Sequence, residues 1–348
     1  MQGHQNTARL THRRREPLGF GLAVAFLVVL FIVAFSSGRF PITFGDLLRL
    51  LWSKISGAPS GLSETVETVI FRVRGPRVFA SMAVGATLAA AGAAYQGLFR
   101  NPLVSPDILG VSSGAALGAV LGIYFSLGVV GIQVLAFAVG LGAVALVYVI
   151  GASLRHHDPI LILVLAGVVI GTLLGSVVGL IKYVADPYNQ LPAITFWLLG
   201  SLTAITTGDL WSILPAITIG LIPLYLLRWR MNLMSLGEEE AQALGVDTRR
   251  IRFAIVSGAT LMTAAAVSVS GIIGWIGLLI PHFARLLVGP DFGRLLPAAM
   301  LLGAGYLLAV DTLARTIANI EVPLGVLTAF IGTPFFIWLL AASRRGWY

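Results

Sequence analysis

The sequence predicts an all-α, polytopic membrane protein with about ten transmembrane helices in two inverted halves, and three observations carry most of that reading. Of 348 residues, 57% are hydrophobic and only 11% are charged, against roughly 25% charged in soluble domains. The mean hydropathy is +0.92. Charge-free runs reach bilayer-crossing length, because ~30 Å of hydrocarbon takes about 20 apolar residues at a rise of roughly 1.5 Å each.

The runs place the helices in order. Pro17–Gly38 is the first, behind a basic tail over 1–16. It shares the preceding "RRREP" and the small-residue "AFSSG" at Ala34–Gly38 with secretory leaders. Its apolar core is longer than the ~7–15 residues of a leader, so retention as a helix is expected. Val78–Phe99 is the second span. Ile108–Leu154 has no charge and folds into the third and fourth, turning near Ser126–Gly131. Pro159–Ile181 and Leu210–Leu227 are the fifth and sixth. Phe253–Ala284 is interrupted by Gly271, Gly274 and Pro281, giving a full seventh helix and a shorter eighth that ends about Val288. Leu295–Val310, extended past Asp311, is the ninth and Val322–Ser343 the tenth. Closed β-barrels would need alternating segments of about ten residues, and these runs are too long and too uniformly apolar.

No soluble domain interrupts the chain, which reads as one transmembrane domain over 1–348. The absence of cysteine excludes disulfides and thiol chemistry. A pI near 10.3 reflects basic cytoplasmic loops and not nucleic-acid binding. With the Arg9, Arg13, Arg14, Arg15 tail inside and ten alternating helices, 15 basic residues fall inside and 8 outside, and both termini are cytoplasmic. The inner set adds Arg100, Arg155, Arg228, Arg230, Arg249, Arg250, Arg252, Arg285, Arg294, Arg344 and Arg345. Six of the outer eight (Arg39, Arg49, Lys54, Arg72, Arg74, Arg77) crowd the stretch between spans one and two.

A faint repeat supports an inverted plan. "RVFASMAVGATLAAAG" from Arg77 parallels "RIRFAIVSGATLMTAA" from Arg250, with Gly85-Ala86-Thr87-Leu88 against Gly258-Ala259-Thr260-Leu261. Five helices separate the copies, and an odd number inverts the topology, as in many transport proteins. Glycines recur every fourth residue at Gly167, Gly171, Gly175 and Gly179, and again at Gly114, Gly118 and Gly122. Such stripes let helix backbones approach closely. Helix packing alone explains them; a smooth wall for a pathway or a dimer seam is the sharper alternative.

Chemistry on this chain is sparse. The only lysines, Lys54 and Lys182, do not follow glycine, so no phosphate-binding loop exists to hold ATP. Asp311 is the one carboxylate inside a predicted span, and Arg315 lies one turn on, which reads as a structural ion pair before a proton or sodium relay. His282 beside Pro281 has no metal-ligand or nucleophile spacing, and His4, His12, His156 and His157 lie in loops or tails. An ion-coupled secondary transporter or channel stays open as the alternative, with an intramembrane hydrolase behind it. Co-purification of a nucleotide-binding subunit separates these readings.

A transport subunit energised by a separate protein fits best, and "LGEEEAQALGVDTRR" from Leu236 to Arg250 is where a partner would grip. Ser235 is placed to cap a short helix whose first turn holds Glu238, Glu239 and Glu240 against the positive end of its dipole. Gly245 offers a stop. Leu236, Ala241 and Leu244 are available for packing in a partner's groove. A solvated loop is the plainer alternative.

"FRVRGPRVFASMAVGATLAAAGAAYQGLFRNPLVSPDILGVSSGAALG", "LGEEEAQALGV", "SGIIGWIGLLIPHFARLLVG" and "TLARTIANIEVPLGVLTAFIGTPFFIWLL" together resemble the FecCD-type permeases, in order, from about Arg72 to Leu340. These are membrane subunits of bacterial ABC importers for iron-siderophores, haem, cobalamin and molybdate. The resemblance implies a homodimer or pseudo-dimer in the inner membrane, two ATPase subunits that bind the ATP and Mg, and a periplasmic substrate-binding protein. No cofactor is implied in this chain. It further implies that the loop over 236–247, with Leu236, Glu239, Glu240, Ala241 and Gly245, docks on the ATPase; Glu238 has only a dipole-matching role. Arg74, Arg77 and Arg315 match arginines that pair with glutamates of the binding protein, which would account for the outer basic cluster. Asn101 and Leu103 match a turn that narrows the cytoplasmic gate, and spans five and ten flank the pathway. One departure stands out: Ile272 replaces the family's proline and Trp275 its aromatic, which puts the kink after Gly271 in question.

Overall fold

The computed structural model describes residues 2–38, 40, 42–153 and 159–343. Arg39, Arg155, His156, His157, Arg344 and Arg345 lie outside the described residues, as do the side chains of the 1–16 tail, His4 and His12 among them. Every described element is helical.

Ten apolar helices form the bundle: α1 (Gln2–Ser36), α4 (Gly75–Leu98), α5 (Val111–Tyr124), α6 (Val129–Ser153), α7 (Pro159–Val184), α9 (Thr207–Leu226), α12 (Thr248–Ser270), α13 (Ile276–Val288), α14 (Phe292–Thr316) and α15 (Leu324–Ser343). Seven stretches are long and apolar enough to cross a membrane; the described parts of α5, α13 and α15 are shorter. Short helices α2 (Phe44–Ser56), α3 (Glu64–Thr68), α8 (Gln190–Leu198), α10 (Arg228–Met234) and α11 (Glu238–Ala243) lie in the connections. The two ends of the bundle are called here the α2 end and the α11 end. The ten predicted spans are all found, with boundaries moved by a few residues. The largest shift is in α1, which is helical from Gln2 through the tail expected to precede it.

Why α5 and α13 are short follows from the backbone before them. A 3₁₀ turn at Pro106–Leu109 closes at Gly110 with φ 81°, inside the bundle, so α5 begins there and not at its edge. The seventh helix stops at Ser270 and resumes at Ile276, with Gly271 at φ 67° and Trp275 at φ 72°. Irregular backbone at membrane depth is stable only when protein covers it, and here three segments cover one another. Ser201 N donates to Ser270 O at 2.8 Å, Leu324 N to Gly200 O at 3.0 Å and Gly325 N to Leu199 O at 3.0 Å. A Cβ on Gly271 would fall 2.3 Å from Trp197 O, and one on Gly200 2.5 Å from Ile272 O. The break therefore survives without the proline.

α4 and α12 occupy the centre and pack on each other, with α14, α13, α9 and α6 around them. The repeated glycines do equivalent work: Gly85 meets Gly303 of α14, and Gly258 meets Gly220 of α9, backbone on backbone. Helices α1, α6, α7 and α9 expose apolar faces, as helices bathed in lipid do.

Candidate functional site

At the α11 end, α10 closes when Ser235 Oγ donates to Asn232 O at 2.6 Å. Ser235 therefore does not cap α11, correcting that expectation; Gly237, at φ 143°, precedes the helix without a side-chain cap. Gly245 stands just past it at φ 80°, with its N–H on Gln242 O at 2.9 Å. The outward side of the loop presents Leu236 and Leu244, 57% and 60% exposed, with Glu239, Glu240 and Gly245 beside them. Ala241 is fully buried. It packs the helix down onto the bundle and cannot face a partner in this conformation, unlike the other four residues expected to dock.

The connection from α4 to α5 also surfaces at this end. Asn101 Oδ1 accepts the Leu103 N–H at 2.9 Å, which fixes the turn, and both residues are exposed. The chain then dives back to the Pro106 turn, where Ser112 Oγ donates to Asp107 Oδ1. α7 lies along this turn: a Cβ on Gly167 would meet Ile108 O at 2.1 Å, and Gly171 faces Ser113. Gly175 and Gly179 meet nothing within 4 Å. The stripe thus divides, its first half a packing seam and its second half an open face shared with Thr172 and Ser176. Their hydroxyls are turned back onto Val168 O and Thr172 O. The Gly114, Gly118, Gly122 stripe is entirely a seam against α6.

At the α2 end the arginines are not displayed but enclosed. A π-helical turn at Val69–Arg74 leads into α4 and swings Arg74 and Arg77 inward. Arg77 Nε donates to both oxygens of Asp311 at 2.9 and 3.2 Å, while Nη1 and Nη2 form a bidentate pair with Glu321 at 3.0 and 2.9 Å. Arg315 Nε lies 3.2 Å from Asp311 Oδ2, and its Nη groups reach the carbonyls of Ser37 and Ala34. Arg74 donates to the carbonyls of Phe35 and Phe40. Thr203 Oγ1 donates to Glu321 at 2.6 Å, bringing in the α8–α9 connection. Burial works against an ionised Glu321, but the hydrogen bonds from Arg77 and Thr203 outweigh it and hold its pKa below the ordinary glutamate value.

The predicted Asp311–Arg315 ion pair is present, and the structure joins it to Arg77, 234 positions away. Arg77 and Arg315 thus have internal carboxylate partners, while among the described residues the exposed cations here are Arg49, Lys54 and Arg72. Glu321 and Thr203 were not singled out from sequence. A lone glutamate in a loop gives no signal of its partner. His282 is buried against the Phe335 ring.

Between α8, the 271–275 break and α15 lies a cavity of about 630 Å³ lined by Leu198, Ile272, Trp275, Val326, Phe330 and Thr333 among others, with no charged side chain. Trp275 rests on Gly332 of α15, where any Cβ would come within 2.7 Å of the indole.

A ten-helix bundle with a short acidic helix at one end and an apolar cavity wall invites comparison with known transporters. The model of the FecCD transport family matches residues 26–342. The chain belongs to that family. The molybdate import permease of Haemophilus influenzae is 38% identical over 94% of this chain and 96% of its own length. The cobalamin import permease of Halobacterium salinarum is 43% identical over 80% of this chain and 75% of its own. A solved metal-chelate-type ABC transporter in an inward-facing conformation is 36% identical and superposes with a TM-score of 0.83, covering 94% of this chain and 99% of that one. This FecCD permease is a membrane-spanning subunit of an ABC importer and not an enzyme.

Proposed function

We propose that the permease carries a metal chelate, an iron-siderophore or haem, across the bacterial inner membrane as a homodimer with two ATPases and a periplasmic binding protein. The observation that carries the cargo reading is the uncharged wall of the cavity beside α15. Trp275, Phe330 and Val326 offer apolar surface and no fixed charge, which suits a chelate whose metal is already wrapped by its ligand. A bare oxyanion would find no cation in that lining, only the Thr333 hydroxyl and the Trp275 indole N–H as side-chain donors. The relatives' cargoes, molybdate and cobalamin, are the competing choices.

Two copies would face each other across α7 and α15, with the Thr172, Gly175, Ser176, Gly179 face on the pathway. Both termini and α11 then lie in the cytoplasm, in line with the excess of basic residues on that side. ATP-driven closure of the ATPases would press on the Leu236, Glu239, Glu240, Leu244 face. The turn at Asn101 and Leu103 would form the inner gate. Docking of the binding protein falls to the α2 end, where Arg49, Lys54 and Arg72 give the exposed charge that steers encounter; Arg74, Arg77 and Arg315 would take part only after their internal partners let go.

The test is uptake by proteoliposomes holding permease, ATPase and binding protein, offered ferric siderophore, haemin, cobalamin or molybdate in parallel. ATP-dependent uptake of an iron chelate alone is expected. Uptake of molybdate or cobalamin in its place overturns the cargo assignment.

A further inference from the structure

The three adjacent glutamates of α11 differ in what they touch. Glu239 and Glu240 are exposed. Glu238 turns toward the bundle: its Oε2 accepts from Arg252 Nη2 at 2.7 Å and its Oε1 from Thr248 Oγ1 at 3.0 Å. One turn along, Gln242 Nε2 donates to the same threonine hydroxyl at 3.1 Å. Glu238 and Gln242 share one face of α11, and Thr248 and Arg252 share one face of α12, each pair four apart. Two rungs therefore join the short helix to the first turn and a half of the long one.

Arg252 is the buried end of this joint. Its side chain is 7% exposed, and its Nε has no hydrogen-bond partner among the described residues. A guanidinium so placed depends on the carboxylate it has, because burial without a counter-charge costs several kcal/mol. Little else ties the loop down: Ala243, Leu244, Gly245 and Asp247 are exposed, and beside Gly237 only Ala241 and Val246 of the 236–247 loop are buried. Beyond Arg252, α12 crosses the centre of the bundle to Ser270, whose carbonyl holds Ser201 in the three-glycine junction beside α15. The whole helix, 23 residues from Thr248 to Ser270, is roughly 34 Å long, and about 27 Å of it lies beyond Arg252 as the lever arm.

We propose that Glu238 is a positioning residue for transport. Its bond to Arg252 makes α11 and α12 one rigid body, so force on the exposed face of α11 tilts α12 instead of swinging a loose loop. The proposal rests on the reading of α11 as the segment the ATPase grips. It assigns Glu238 a role distinct from that of its neighbours: Glu239 and Glu240 face the partner, and Glu238 transmits.

The experiment compares wild type with Glu238→Gln, Gln242→Ala and the exchanged pair Glu238→Arg with Arg252→Glu, each reconstituted with ATPase and binding protein. Cargo transported per ATP hydrolysed should fall at least about fivefold in Glu238→Gln, about twofold in Gln242→Ala, and recover partly in the exchanged pair, the ordering expected if a charge-assisted bond is worth about twice a neutral one. Because the chain has no cysteine, spin labels at Ala243→Cys and Phe253→Cys report the α11–α12 separation directly. The distance distribution should stay narrow through the ATP cycle in wild type and broaden in Glu238→Gln. A narrow distribution or an unchanged transport-to-ATP ratio in Glu238→Gln overturns the proposal. Loss of ATPase co-purification in that variant also overturns it, since Glu238 would then be a docking residue. Failure of the α11 reading looks different: alanine at Leu236 and Leu244 would leave ATPase capture by the wild-type background intact. Should Glu238→Gln be recovered misfolded, the Gln242→Ala ratio decides alone, and a wild-type value there counts against the joint.

Discussion

Asp311→Asn is the most direct probe of the enclosed arginine cluster. Asp311 is 0% exposed, and its carboxylate meets Arg77 at 2.9 Å and Arg315 at 3.2 Å. At an effective dielectric near 20, unit charges 4 Å apart attract by about 4 kcal/mol, so two arginines on one carboxylate offset the cost of burying it. Asparagine keeps the shape and loses the charge. Arg315 is then left with the carbonyls of Ser37, Ala34 and residue 311 itself and the Thr312 hydroxyl. Deleting one member of a buried pair costs about 3–5 kcal/mol. Since Arg77 retains both bonds to Glu321, the lower end, about 3 kcal/mol, is expected.

A domain of 150–250 residues loses about 2–4 °C of melting midpoint per kcal/mol, and this longer chain should sit near the smaller figure. The expected drop is therefore about 6 °C, read as the loss of the monodisperse peak when detergent-solubilised protein is heated before gel filtration. Glu321→Gln, at a 31% exposed side chain, should cost about 1 kcal/mol, the net value of an ordinary hydrogen bond. Asp311→Asn melting within about 1 °C of wild type, below the 2–4 °C expected from even one kcal/mol, would refute the claim that these charges hold the α2 end together. The same geometry alters how arginine reversals are read. Arg77→Glu would set three carboxylates together, and its loss of response to a binding protein would report misfolding; Arg72→Glu, on an exposed residue, isolates docking.

Three further outcomes follow from the same structure. Glu321 has a folded pKa below its ordinary 4.5, so its contribution is complete above that pH and is lost as pH falls through the folded value; the wild-type midpoint should begin to drop below about pH 4.5, and Glu321→Gln should lack that component. Gly167→Ala drives a methyl to 2.1 Å from Ile108 O, whereas Gly175→Ala meets nothing within 4 Å; the first should destabilise by about 1–3 kcal/mol and the second by less than about 0.5 kcal/mol in the same melting assay. Replacing Leu236 and Leu244 together by Asp removes the exposed apolar pair, and recovery of ATPase on the tagged permease should fall at least about tenfold, which corresponds to 1.4 kcal/mol.

What the chain reveals in one dimension depends on whether the physics acts along it or across it. Hydrocarbon thickness acts along it, so the ten spans can be read from apolar run lengths and only their ends move. The i,i+4 spacing of Asp311 and Arg315 is likewise local and visible. Arg77 and Glu321 stand 244 positions apart, and nothing about an arginine in a basic loop says whether water or a carboxylate will solvate it. Charge counting therefore groups Arg74 and Arg77 with the exposed cations of their loop, whereas the structure buries both. Ala241 illustrates the same limit on a smaller scale: in a six-residue helix the apolar periodicity is too short to tell the inward face from the outward one. The 271–275 break is the instructive case. A search for the helix-breaking residue fails at Ile272, because the break is imposed by what packs there. Gly271 and Gly200 leave room for backbone on backbone, the freed carbonyl of Ser270 is taken by Ser201, and Trp275 accepts φ 72° with its ring seated on Gly332. A proline would stiffen that arrangement, but the hydrogen bonds between three distant segments already determine it.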